Sequence, residues 1–142
     1  MEDIYVTELT ARILREAGFN LSVRRYYKRN LKNGKSYMLE LNPEYITDAN
    51  SENFDDKDVI ASAPTRSDAL KWLRDKNVFI WTTPVEVVKN DFFVPISINT
   101  NKWETMVWVD RKHFASAIYG EYEDAEDAGI RSGASFVKEL NL

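Results

Sequence analysis

A chain of 142 residues is long enough to bury the core of one domain, and its 44% apolar and 30% charged content argues against disorder. It has no cysteine, which excludes a disulfide framework, a thiolate nucleophile and a cysteine-ligated metal. The net charge of −4 offers no overall attraction to nucleic acid or anionic lipid, and no apolar run is long enough to cross a bilayer. With no secretory signal at its start, a soluble cytoplasmic protein is expected.

The first expected element is a helix over residues 8 to 17. Thr7 supplies its cap, Ile13, Leu14 and Ala17 its apolar stripe, and Gly18 its left-handed stop, with Phe19 folding back on Leu14. A hairpin follows. Asn33-Gly34 is the favoured pair for a two-residue type I′ turn, and it would join Val23–Leu31 to Ser36–Leu41. That register puts Tyr26, Tyr37, Leu39 and Leu41 on a core face, and Arg25, Tyr27 and Arg29 on the opposite face, with Glu40 across from Tyr27. Residues 42 to 58 are polar and acidic and are expected to form a long loop.

Thr65 should cap a second helix over residues 66 to 76, with Leu70 and Leu73 facing inward beside Ala69 or Trp72. Three strands are expected next, Val78–Thr83, Phe92–Ile98 and Trp103–Val109. Pro95 should confine the middle one to an edge or a bulge, and Asn99–Lys102 should form a turn. No element is assigned to the stretch holding Phe114, Ile118 and Tyr119. A last helix is expected over Tyr122–Leu140, with Ala125, Gly129, Gly133, Phe136 and Leu140 on its apolar side. Its two glycines weaken it by about 1 kcal/mol each unless another part of the chain packs closely there.

Three segments resemble a family of small uncharacterised proteins frequent in Bacteroidetes bacteria and their phages and prophages. They are Tyr5–Phe19 leading to Tyr26-Tyr27, Ser62-Ala63-Pro64-Thr65 with Trp72-Leu73-Arg74 and the strand after it, and Glu121–Ile130. The chain departs from that family in a longer hairpin, in Ser132-Gly133 within the last helix, and in a stretch from Asn90 to Lys112 without a counterpart. The resemblance implies a mobile-element origin and an intracellular setting. It brings no activity, cofactor or catalytic residue.

Candidate chemistry is sparse. Six cations and no acid fall between residues 24 and 35, and Arg25, Tyr27, Arg29, Lys32 and Lys35 could hold a single-stranded nucleic acid by phosphate contact and base stacking. The plainer reading is a solvated strand face that balances the seven carboxylates between Glu40 and Asp58. Acids at Glu121, Glu123, Asp124, Glu126 and Asp127 suit the first turns of a helix better than a metal site. His113 is the sole histidine; Asp110 and Ser116 lie near it in sequence but nothing in the sequence fixes their geometry, so no catalytic residue, metal or cofactor is assigned. Trp72 belongs in the core, whereas Trp103 and Trp108 differ in parity and point to opposite sheet faces.

The expected fold is α+β, a single domain over residues 1–142 with an antiparallel sheet of about four to five strands packed by about three helices. The expected function is that of a non-enzymatic accessory protein of phage or prophage origin. It would act by contact with an unknown protein partner or by self-association, with no membrane role, through the edge near Phe92–Ile98 and through Phe93, Trp81 and Trp103. The alternative is single-stranded nucleic-acid binding through the Arg24–Lys35 hairpin.

Overall fold

A computed structural model describes residues 4–85, 88–89, 95–97 and 102–142, with backbone alone at 88–89, 95–97 and 114–116. Helix α1 spans Glu8–Glu16 and starts where the Thr7 side chain accepts the Thr10 backbone N–H. It ends as its residue types demand. Gly18 takes φ +97°, the Gly18 N–H reaches the Arg15 carbonyl at 3.0 Å, and the Phe19 N–H reaches that of Leu14 at 2.9 Å. Helix α2, Arg66–Asp75, begins at Thr65, whose hydroxyl accepts the Asp68 N–H at 3.1 Å. Ala69, Trp72 and Leu73 are its buried positions, and Trp72 meets Phe19 edge-on with ring centroids 5.5 Å apart.

The described strands pair antiparallel throughout, but in two three-stranded sheets and one ribbon instead of a single sheet. The first sheet runs β2-β1-β3, from Ser36–Glu40, Arg25–Arg29 and Val59–Ser62. The second runs β4-β7-β8, from Val78–Pro84, Trp103–Val109 and Lys112–Tyr119. The ribbon pairs β5, Val88–Lys89, with β6, Pro95–Ser97, and its register slips beside the Lys89–Pro95 pair, as a residue without an N–H requires. The rest of the expected Phe92–Ile98 strand and Asn99–Asn101 of the expected turn lie outside the described residues.

Two turns exchange the roles their sequences suggest. Arg25 pairs with Glu40 and Tyr26 with Leu39, so the first hairpin closes over residues 31–34, and Gly34 (φ +70°), unlike Asn33, lies in the left-handed region. That register differs from the expected one by two positions, which keeps every side chain on its face but moves Glu40 opposite Arg25. The two-residue left-handed turn is instead Asp110-Arg111, with φ +48° and +66°, joining β7 to β8. Arginine has no intrinsic preference for that conformation, which explains why β8 carries no recognisable turn signal. Strand β3 is also hidden, because four residues with no polar alternation give no period to read.

Helix α3, Tyr122–Leu140, lies at the centre of the molecule, against β4 and β7 on one side and α1 and α2 on the other. It therefore buries a broad surface of small residues, including Ala125, Ala128, Gly129, Ile130, Gly133, Ala134 and Val137, while Leu140, expected on the apolar side, is exposed. The glycines are a packing requirement. A Cβ on Gly129 would lie 2.3 Å from Thr105 Oγ1 and 2.5 Å from Ile80 Cγ2, and one on Gly133 would lie 2.9 Å from Ile80 Cδ1. The helix propensity lost at these positions is thus exchanged for close contact with the second sheet.

The junction of α3 with α1 is polar and buried. Asp127, 5% exposed, accepts the Thr7 N–H at 2.9 Å, the Thr7 hydroxyl at 2.8 Å, the Thr10 hydroxyl at 2.7 Å and an Arg131 N–H at 3.2 Å. A carboxylate from one helix thereby sits at the N-terminus of another, where the α1 macrodipole favours negative charge.

Gly129→Ala should destabilise the protein by about 2 kcal/mol, because overpacking outweighs the gain in helix propensity. Gly120→Ala, where a Cβ meets nothing within 4 Å, should fall within about 0.5 kcal/mol of wild type in the same urea titration. Converting the β7–β8 turn to an asparagine-glycine pair, through Asp110→Asn and Arg111→Gly together, should raise stability by about 1 kcal/mol. Asp127→Ala should cost about 3 kcal/mol, and Asp127→Asn, which keeps an acceptor for the Thr7 N–H, distinctly less in thermal melts.

Candidate binding surfaces

The basic-aromatic run of β1 does not assemble the platform its sequence suggests. The guanidinium of Arg25 lies 4.5 Å from the centre of the Tyr5 ring and 3.8 Å from Glu40. Tyr27, expected to be exposed, is half-buried, and its hydroxyl donates to the Val6 carbonyl at 2.5 Å. The face that holds Arg25 and Tyr27 thus meets the N-terminal segment, through Tyr5 and Val6, instead of water. Arg29, Lys32 and Lys35 are exposed, and Lys28 lies with Tyr26 on the opposite face by alternation. The cations are therefore distributed around the hairpin with no exposed stacking ring among Tyr26 and Tyr27.

On that opposite face, Asp56 of the long loop accepts from the Tyr26 hydroxyl at 2.7 Å and from Lys28 Nζ at 2.8 Å through the same oxygen. Burial works to raise the Asp56 carboxyl, but the hydrogen bonds from Lys28, Tyr26 and the Asp58 backbone outweigh it and hold the group below the ordinary aspartate range. Burial and then the bond to Asp56 push the Tyr26 phenol well up, and the same carboxylate raises Lys28. The Tyr26 ring also packs edge-on against Phe54, centroids 5.0 Å apart. Residues 42–58 form the expected loop, with a single 3-10 turn at Pro43–Tyr45. It is well anchored: Ala49 is fully buried, and Asn50 donates to the Phe19 carbonyl at 2.9 Å while accepting the Ser62 N–H at 2.8 Å.

The acidic start of α3 disperses in the same way. Glu126 lies 2.9 Å from Arg66 Nε and accepts the Tyr122 hydroxyl, and burial followed by that bond pushes the Tyr122 phenol up to about 12. Asp127 is committed to α1. Among the described residues, no group of three histidine or acidic side chains is arranged to hold a metal ion. His113 is exposed, its ring 5.1 Å from that of Trp108.

The outer face of the second sheet is different in kind. Its register sets Phe79 opposite Trp108, Trp81 opposite Met106, and Glu104 opposite Ile118. Alternation sends Val78, Ile80, Thr105, Val107 and Val109 toward α3, and all of the first group away from it. Phe79 is 43%, Ile118 58% and Trp81 61% exposed, with Met106 and Trp108 half-buried between them. Of the three residues named in advance for a protein interface, Trp81 is therefore exposed. Trp103 turns inward onto Tyr122, centroids 5.1 Å apart, and Phe93 lies outside the described residues. Trp108 takes the face opposite Trp103, as its parity requires, whereas Phe79 and Ile118 carry no such signal beyond the i, i+2 spacing of Phe79 with Trp81; their assembly depends on the strand register and on β8.

No protein-family model, no curated protein and no solved structure matches the chain.

The pH dependence of the Asp56 cluster has a definite sign. A lowered carboxyl contributes stability that is present above its unfolded value and lost as pH falls through the folded one. The stability difference between wild type and Asp56→Asn should thus be greatest above about pH 5 and shrink as pH falls below about 4, as read by urea unfolding at each pH.

Proposed function

We propose that the protein is a non-catalytic binding protein, and that the outer face of β4-β7-β8 is where it meets a protein partner. The observation that carries this reading is the grouping of Phe79, Trp81 and Ile118, all exposed, around Met106 and Trp108 on a sheet whose other face is packed by α3. Contiguous exposed apolar side chains of this kind mark interaction sites on otherwise polar surfaces, and aromatic residues with methionine are enriched at the centres of protein interfaces. The chemistry of the face suits a polypeptide better than a nucleic acid, because the cations of β1 lie on the other sheet. Motifs resembling those of phage and prophage proteins fit an accessory role inside a cell, acting through contact and not turnover.

Trp81→Asp combined with Ile118→Asp should leave stability within about 1 kcal/mol of wild type, since both side chains are exposed. The same variant should lose a partner that wild-type protein retains in quantitative affinity recovery, with free wild-type protein competing for it. A wild-type protein that stays monomeric at high concentration and recovers the same set of proteins as the double variant would refute the proposal.

A further inference from the structure

The long loop and Tyr26 of β1 line an open cleft of about 550 Å³, within the size range of small-ligand sites. Its aromatic walls are Tyr26, Tyr45 and Phe54, and its polar lining includes Glu44, Asp48, Asp55 and Asp56, with no lysine or arginine. Asp56 is neutralised by Lys28 at 2.8 Å. The other three carboxylates have no cationic partner among the described residues. The nearest cation in sequence, Lys57, is held by the Glu52 and Phe54 carbonyls at 3.1 and 3.0 Å.

The inner wall and the base of the loop are fixed before any ligand arrives. The Tyr26 hydroxyl is engaged by Asp56, and its raised phenol keeps it a neutral donor. Asn50 ties the base of the loop to Phe19 and Ser62. Tyr45 stands 67% exposed at the mouth, where its ring is open to an incoming group. Aromatic rings lining a cleft together with carboxylates attract a cation carried on an apolar stem, by ring quadrupole and charge together.

We propose that this cleft binds an organic cation, a guanidinium or ammonium group on an aliphatic stem, with Tyr45 and Phe54 as its walls and Glu44, Asp48 and Asp55 as its counter-charge. The chemistry is that of an arginine or lysine side chain or of a free alkylamine. The site is independent of the apolar face of the second sheet, so either can fail alone.

The test is a titration of the full chain with N-acetyl-arginine amide, followed by NMR through the ring protons of Tyr45 and Phe54. N-acetyl-citrulline amide, equal in shape but neutral, is the control. Saturable shifts are expected with a dissociation constant of about 1 mM, as befits a ligand of this size, and binding should weaken as salt is raised. Tyr45→Ala should weaken binding about tenfold. Asp48→Asn with Asp55→Asn should do the same, and the amide at position 48 retains the acceptor that the Asn50 N–H uses at 2.9 Å, so the loop fold is preserved. Agmatine and an arginine-containing tripeptide then distinguish the source, and tighter binding of either supports the site. Equal shifts with the citrulline compound, or no saturable shift up to about 50 mM, overturn it.

Discussion

Asp127 is the constraint around which the rest is arranged. A carboxylate that is 5% exposed must have its charge compensated, and four donors from Thr7, Thr10 and Arg131 do so. Three of those donors belong to the start of α1, so α1 and α3 are fixed in rotation and in height relative to one another. Once that junction is set, Thr7 places the preceding segment. Val6 then offers its carbonyl to Tyr27 and its N–H to the Pro64 carbonyl at 3.1 Å, drawing β1 and the entrance to α2 into register with the helices.

The second sheet is held by the opposite side of the same helix, and by shape instead of charge. Gly129 and Gly133 let Ile80 and Thr105 approach the α3 backbone more closely than any side chain at those positions would permit. Among the described residues, the buried Thr105 hydroxyl that faces Gly129 has no hydrogen-bond partner, a local cost accepted for the fit. It also divides the sheet sharply. One face is given to α3, and the other presents Phe79, Trp81 and Ile118 to solvent.

The ionisable groups fall into two classes with different consequences. Arg25, Lys28, Glu126, Arg66 and Asp127 are used inside the fold, each with a named partner that joins two elements. Arg25 and Lys28 of the basic run, and Glu126 and Asp127 of the acidic one, are thus engaged in the architecture, and the same holds for the Tyr27 ring. Glu44, Asp48 and Asp55, which like several other acids have no cationic partner among the described residues, gather on one loop around aromatic walls. Charge near an aromatic cleft and an apolar sheet face are two places where the described surface departs from a uniformly solvated one.

Local sequence determined the helices, because their signals act within a few residues: Thr7 and Thr65 cap, Gly18 stops, and Trp72 with Leu73 falls on the buried side. It likewise determined the α+β class, the long loop and the awkward place of Pro95. Tertiary structure alone decided the rest, since those features depend on which distant segments meet. Strand β3 is a strand because β1 lies beside it, and Arg111 adopts a left-handed turn because β7 and β8 must close. Tyr27 is half-buried because Val6 reaches it, and the apolar face exists because α3 covers only one side of the sheet. Periodicity shows which side chains share a face of one strand; only packing shows which of those faces meets the core and which meets water.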